Sequence, residues 1–154
     1  MARHGALYAA EDGWDPCFEA RVARIAADFV DRFDARREAG WIADWQGLPM
    51  MGCVCLPKAR DDASAMPVTG VAQPCMPLVD PAARGRGMGK LLVDACHRFA
   101  ADAVYTRVRL WTCSLRQAAR AIYRQGGYRP LGSNADYSFG HATVGEVWDK
   151  KLGG

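Results

Sequence analysis

VDPAARGRGMGKLL (Val79–Leu92) sets glycine at 85, 87 and 89 and cations at 84, 86 and 90, between an apolar strand-like run and an apolar helix-like run. Glycine lets the backbone take positive φ and lets a ligand come close to the main chain. The unpaired N–H groups at a helix start, together with the helix dipole, favour an anion. Neighbouring arginines add charge-assisted hydrogen bonds. The segment therefore describes a cradle for phosphate or pyrophosphate. Two familiar cradles do not fit. A Walker loop needs G-x-x-x-x-G-K-S/T, but Arg84 stands at its first glycine and Leu91 at its hydroxyl. The dinucleotide fingerprint G-x-G-x-x-G fails because Lys90 occupies its third glycine. A glycine-rich turn that binds nothing is the plain alternative, and the order strand, motif, amphipathic helix argues against it.

Outward from this segment, Met88, Leu91, Leu92, Ala95, Cys96 and Phe99 form one apolar side of a helix over 88–103. VAQPCMPLVD, ending at Asp80, reads as a strand by position, although it carries Pro74 and Pro77. VYTRVRLWT, beginning at Val104, is a strand of β-branched and aromatic residues. The strands over 71–79 and 104–112 with the helix between them make one βαβ unit, so these strands are expected to be parallel. LRQAARAIYRQGGY reads as a helix with Leu115, Ala118, Ala119 and Ile122 inward, stopped by Gly126-Gly127. Two strands, 128–132 and 143–150, follow.

Before the motif, Phe18, Val22, Ile25, Phe29 and Phe33 recur every three to four residues and predict a helix from Pro16 to Arg37, with Asp15 as its N-cap and Gly40 as a stop. GALYAA reads as a short strand ahead of it. GWIADW and MMGCVCLP, separated by QGLP, read as a hairpin, and residues 58–70 as a turn. The order β-α-β-β-β-α-β-α-β-β predicts a mixed α/β sheet in one domain spanning 1–154.

Composition narrows the function classes. The 154 residues are half apolar and about a quarter charged, an ordinary soluble balance. No run approaches the ~18 apolar residues of a membrane span, and the N-terminal stretch lacks a signal peptide's apolar core. Six cysteines form no C-x-x-C pair and no zinc spacing; they read as reduced residues of a cytoplasmic protein, and no metal is expected. A net charge of +3 spread along the chain disfavours nucleic acid as the main ligand.

Arg84-x-x-Gly87-x-Gly89 after VDP resembles the pyrophosphate-binding motif of the GNAT family of N-acetyltransferases, which hold acetyl-CoA. The likeness covers nearly the whole chain. VDPAARGRGMGKLLVDAC, LWT, AARAIYRQGGY, SFGH and the stretch from His4 to Asp34 resemble one branch in which the domain is often fused behind a MarR-type helix-turn-helix regulator. This sequence is expected to hold the acetyltransferase part alone.

The resemblance implies a GNAT-like mixed sheet with helices on both faces and two parallel strands splaying apart to admit the pantetheine arm. It implies that the backbone of Leu78 and Val79 lines that arm and that Arg84, Gly85, Arg86, Gly87, Met88, Gly89 and Lys90 hold the pyrophosphate. It also places Tyr123 where the family protonates the departing thiolate. A phenol of pKa near ~10 suits a thiolate near ~8.5; packed core tyrosine is the alternative role. The acceptor implied is an amine of a small molecule or a protein. Its base could be Glu146, Asp136 or His141, none marked by a pattern.

Two positions depart from the family. Many members carry asparagine seven residues before the helix tyrosine, where this chain has Arg116. The strand amide that usually polarises the thioester carbonyl falls at Pro77, which has no N–H. Losing one oxyanion donor typically costs ~10²–10³ in rate. A bulge could bring the Met76 or Leu78 amide into its place, or the protein could bind acyl-CoA and transfer poorly as a sensor. A third possibility is a vestigial groove and a role through protein contacts, with Trp14, Trp41, Trp45 and Tyr137 as aromatics to inspect; all four read better as core or groove wall. A homodimer through late strands or sheet edges is a further expectation.

Overall fold

The computed structural model describes residues 2–114, 116–138 and 141–153, with the side chains of residues 2–5, 12, 136–138, 141 and 143 outside that description. The chain opens with two helices, α1 (Ala2–Asp12) and α2 (Pro16–Asp31). GALYAA therefore lies in a helix and not in a strand. Ala6, Ala9 and Ala10 are strong helix formers, and Gly13 (φ +66°) closes the helix by donating to the Ala9 carbonyl at 3.1 Å. α2 starts as its sequence requires, with the Asp15 carboxylate accepting the Cys17 amide at 2.9 Å and Pro16 in the first turn. It stops at Asp31, short of the predicted Arg37. Asp34 accepts the Arg36 amide on its own carboxylate, and Glu38 reaches back to accept the Asp34 amide at 2.9 Å. Such local side-chain bonds compete with helix continuation.

β1 (Ala39–Trp45) and β2 (Leu48–Leu56) form the predicted antiparallel hairpin. Its two-residue turn has positive φ at both Gln46 and Gly47, the handedness that suits a twisted hairpin. Residues 58–70 are not only a turn: they hold β3 (Lys58–Arg60) and the start of β4 (Pro67–Ala72). The predicted strand 71–79 is also broken. It splits at Gln73-Pro74 into β4 and β5 (Cys75–Val79), and the two halves belong to different sheets.

α3 (Met88–Asp102), β6 (Arg107–Cys113), α4 (Gln117–Gln125), β7 (Arg129–Ser138) and β8 (His141–Lys151) complete the chain. β6 starts later than the predicted 104 because α3 ends in a turn through Val104 (φ +59°). One sheet runs β1-β2-β5 and the other β3-β4-β6-β8-β7. β4 and β6 are parallel, as the βαβ reading requires, and the remaining pairs are antiparallel. The expected mixed α/β architecture is the one that forms.

α3 buries Met88, Leu92, Cys96 and Ala100, one ridge at four-residue spacing, against a core that includes Val54, Leu56, Val108 and Trp148. Leu91, predicted inward, lies off that ridge and is 62% exposed. Trp14 is buried, and Trp41 and Trp45 pack against the core, while Tyr137 and Leu115 fall outside the described side chains. All six cysteines are free thiols; Cys96 and Cys113 are buried and Cys17 is exposed.

Candidate active site

The glycine segment sits between β5 and α3. A short 3-10 turn (Pro81–Ala83) leads into it, capped by the Asp80 carboxylate accepting the Ala82 amide. Gly85 (φ +71°) and Gly87 (φ +80°) both adopt left-handed backbone, and a Cβ at either would meet no atom within 4 Å. Their lack of a side chain thus serves conformation and an open approach, not internal packing. Gly87 is the N-cap of α3 and supplies no side-chain bond to it. Because Leu91 is the first to donate back, to the Gly87 carbonyl at 3.0 Å, the amides of Met88, Gly89 and Lys90 have no intrahelical acceptor. Gly89 does a different job: a Cβ there would meet Ile122 Cδ1 at 2.9 Å, so it permits close contact of α3 with α4.

The flanking cations are already engaged. Arg84 donates Nε to the Val79 carbonyl at 3.1 Å and both terminal nitrogens to Glu11 at 2.7 and 3.0 Å. Arg86 lies 5.5 Å from the Trp45 ring centroid, and Lys90 pairs with Asp94 one turn on at 2.6 Å. Met88 points its side chain into the core. Main-chain N–H groups, more than free cations, are what the segment offers an anion.

Beside the cradle the two sheets part. β4 and β6 are in register only at Val71↔Arg107 and Ala72↔Val108. The chain then leaves β6, and β5 pairs instead with β2. Along β5 a bulge intervenes: Cys53 faces Leu78 and Cys55 faces Cys75, so two steps on β2 span three on β5, and Met76 takes φ +53°. The Asp80 amide donates to Met51 O at 2.8 Å. By the alternation of an antiparallel ladder, Leu78 also turns its main-chain groups toward β2, whereas Val79 and Pro77 turn theirs to the gap. Consistently, the gap-side carbonyls of Val79 and Pro77 accept from Arg84 Nε and from the Tyr8 hydroxyl at 3.2 Å. Of the two residues expected to line the arm, Val79 offers its backbone and Leu78 does not. The bulge does not bring the Leu78 amide into the position that Pro77 leaves without a donor.

Pro74, Pro77, Val93, Cys96, Leu110, Trp111, Tyr123 and Tyr128 line one cavity in the gap. Tyr123 enters it from α4, only 7% exposed, with its ring edge-on to Tyr128 at 5.7 Å. Burial, with smaller contributions from Tyr8 and Cys96, pushes its phenol up to about 12. It holds its proton at neutral pH.

A sheet that splits beside a glycine-lined helix start is the arrangement the motif anticipated, and comparison with known proteins agrees. The model of the acetyltransferase (GNAT) domain matches residues 36–130. The chain belongs to the GNAT acetyltransferase family. The fold is shared with a GNAT acetyltransferase from Streptococcus pneumoniae (19% identity, 82% of this chain and 74% of that one, TM-score 0.65). It is shared too with the ribosomal-protein-S18-alanine N-acetyltransferase from Escherichia coli (15% identity, 82% and 76%, TM-score 0.64). A phosphinothricin acetyltransferase from Sinorhizobium meliloti, solved in complex with AcCoA, gives 16% identity over 85% of this chain and 69% of that one, with TM-score 0.69. A search of curated protein sequences returns no match.

In this GNAT domain α1 closes one side of the gap. Tyr8 stacks on Trp14 with centroids 5.0 Å apart and packs on Phe18 at 4.7 Å. Arg116, the residue at the departed asparagine position, places its guanidinium 4.1 Å above the Tyr8 ring and 3.7 Å from Glu11. Glu11 thereby ties Arg84 and Arg116 together, and Arg84 in turn holds its carboxyl below the usual range. None of Tyr8, Glu11 or their pairing with the motif was legible in the sequence, since residues 11, 84 and 116 meet only in the fold.

Among the base candidates, Glu146 Oε2 accepts the Trp148 indole N–H at 2.9 Å and lies 3.1 Å from Arg120 Nε, an occupied carboxylate. The side chains of Asp136 and His141 lie outside the described residues. A second cluster, also missed, lies between α3 and α4 around a cavity of about 200 Å³. There His97 Nε2 contacts the Tyr128 hydroxyl at 2.8 Å, and Lys150 Nζ lies 3.5 Å from Nδ1. An ammonium only donates, which assigns the proton to Nε2. Burial and the Lys150 charge depress His97 to about 4. No group of three or more metal-ligating side chains occurs among the described residues. No described helix is long and apolar enough to cross a membrane.

Proposed function

We propose that this GNAT protein transfers the acetyl group of acetyl-CoA to an amine by direct attack, and that residues 1–154 act as one such domain. The observation that carries the reading is the pair of left-handed glycines, 85 and 87, opening on an uncapped helix start beside a gap that holds a buried, protonated tyrosine. The pyrophosphate would meet the amides from Gly85 to Lys90, and Arg84 would share its charge between phosphate and Glu11. The Val79 backbone would line the pantetheine arm. The amine nitrogen attacks the thioester carbon, the C–S bond breaks, and the thiolate takes the Tyr123 proton while the amine nitrogen loses one to solvent or a base.

Two of the structural relatives are named for different acceptors, a small molecule and a ribosomal-protein alanine. An amine of either kind fits this reading. The test is calorimetric titration of acetyl-CoA into the parent and Gly87→Trp, followed by CoA release with a panel of amines and peptides. Micromolar binding lost in the variant, with amine-dependent release, is the expected result; no binding by the parent refutes it.

Pro77 favours a second reading, an acyl-CoA sensor with weakened transfer, in keeping with the resemblance to domains fused behind MarR-type regulators. Under that reading Pro77→Leu raises transfer; a fall from an already high activity excludes it.

A further inference from the structure

We propose that the Tyr8 hydroxyl takes over the role of the strand amide that Pro77 cannot supply, and polarises the thioester carbonyl of bound acetyl-CoA. The inference rests on the reading that the gap accepts acetyl-CoA, and it assigns a catalytic side chain to α1.

Three observations converge on Tyr8. The first is its place. On the gap side of β5 the carbonyls of Val79 and Pro77 accept hydrogen bonds, and at Pro77 the Tyr8 hydroxyl sits 3.2 Å from the carbonyl oxygen. A donor is therefore held beside the one gap-facing position that has no N–H. Val79 cannot substitute, because two residues of strand set it about 7 Å nearer the pyrophosphate cradle, where the arm and not the acetyl group passes.

The second is the quality of the existing bond. At 3.2 Å the contact is longer than the 2.5–3.0 Å usual for O–H···O. A phenolic O–H can donate or accept, so this long contact is one that a thioester oxygen placed beside Pro77 would compete for.

The third is preorganisation. An oxyanion donor is effective when it is fixed before charge develops. The Tyr8 ring is stacked on Trp14, packed on Phe18 and covered by the Arg116 guanidinium at 4.1 Å. That guanidinium also sets positive charge over the ring that carries the donor.

Isotope-edited infrared spectroscopy of acetyl-CoA carrying ¹³C at the thioester carbonyl tests this without knowledge of the acceptor, because a hydrogen bond to the carbonyl lowers its stretching frequency. Bound to the parent, the band should lie below that of free acetyl-CoA. In Tyr8→Phe, which keeps the ring and its packing, it should return toward the free position. In Pro77→Leu/Tyr8→Phe it should fall again, because the strand amide is restored. Where an amine is turned over, Tyr8→Phe should lose about 10²–10³ in rate, and the same change in the Pro77→Leu background less than about tenfold. A carbonyl band unmoved by Tyr8→Phe, or moved equally whether or not Pro77 is replaced, overturns the assignment while leaving acetyl-CoA binding intact. Failure of the parent to bind acetyl-CoA in calorimetry overturns it together with the proposed function.

Discussion

Gly87 and Gly47 offer a matched pair for testing the cradle. Both have left-handed backbone, φ +80° and +77°, and a Cβ at either would meet nothing within 4 Å. Gly47 lies in the β1–β2 turn, whereas Gly87 caps α3. Replacement by alanine therefore imposes the same backbone penalty at both, with no steric clash to confuse it. For a non-glycine residue that conformation costs about 1–2 kcal/mol, partly offset by the restricted unfolded chain. Each variant should lose about 1 kcal/mol in urea unfolding, or roughly 2–4 °C in melting temperature for a chain of this size. Only Gly87→Ala puts a methyl group where, under the proposed function, a phosphate would approach main-chain amides. Losing one charge-assisted hydrogen bond, about 1.5–3 kcal/mol, weakens binding at least about tenfold. Calorimetry should therefore show acetyl-CoA affinity reduced in Gly87→Ala and unchanged in Gly47→Ala, at matched stability. Equal affinity in the two variants would show that the glycines shape a turn and nothing more.

Tyr123→Phe should lower amine-dependent CoA release by about 10²–10⁴ while acetyl-CoA affinity, read by calorimetry, stays within about threefold; a matching loss of affinity would make Tyr123 a packing residue. His97 is depressed from 6.5 to about 4 by burial beside Lys150, with Lys90 adding to the effect and Asp94 opposing it. Below pH 6.5 the unfolded chain takes up the proton first, so the His97 contribution should lower stability between pH 6.5 and 4 and add nothing further beneath. The shift corresponds to roughly 3 kcal/mol, reduced to about 1–2 kcal/mol because the ring is partly exposed to screening solvent. His97→Gln should flatten that part of a urea-unfolding pH profile, and an unchanged profile would contradict the assignment. Glu38, 3% exposed, accepts the Asp34 and Lys58 amides at 2.9 and 3.0 Å. Glu38→Ala leaves both without that acceptor and should cost about 2–4 kcal/mol in chemical unfolding; a loss under about 0.5 kcal/mol would mean that water replaces the carboxylate.

The backbone geometry of the glycine segment was legible because its signal is local. Alternating glycines before an amphipathic run constrain the backbone within a few residues, and Gly85 and Gly87 take the left-handed conformation that reading requires. The β1–β2 hairpin and the parallel pairing of β4 with β6 were likewise written in short-range patterns. Tyr123 was singled out through resemblance, while its burial and raised pKa needed the packed fold. What periodicity misread was α1, where six mostly small residues suit either structure until Gly13 closes the helix. Pro74 was visible as an irregularity, but that it transfers the chain from one sheet to another depends on partners distant in sequence, Cys55 and Val108. The Glu11–Arg84–Arg116 tie and the His97–Tyr128–Lys150 cluster join residues that no sequence window contains.

The two prolines of the divided strand also bear on what the gap does when nothing fills it. Two parallel strands that begin in register tend to zip together, since each new pair of main-chain bonds rewards the next. β4 and β6 start on that course at Val71 and Ala72. Pro74 interrupts it at the point of departure, and Pro77 withholds a donor from the face that would have to meet β6. The slot is thus protected from healing into a continuous sheet, and the same missing donors make the exposed edge of β5 a poor template for a strand from another molecule. An apparent defect in the divided strand doubles as the wedge that keeps the molecule open.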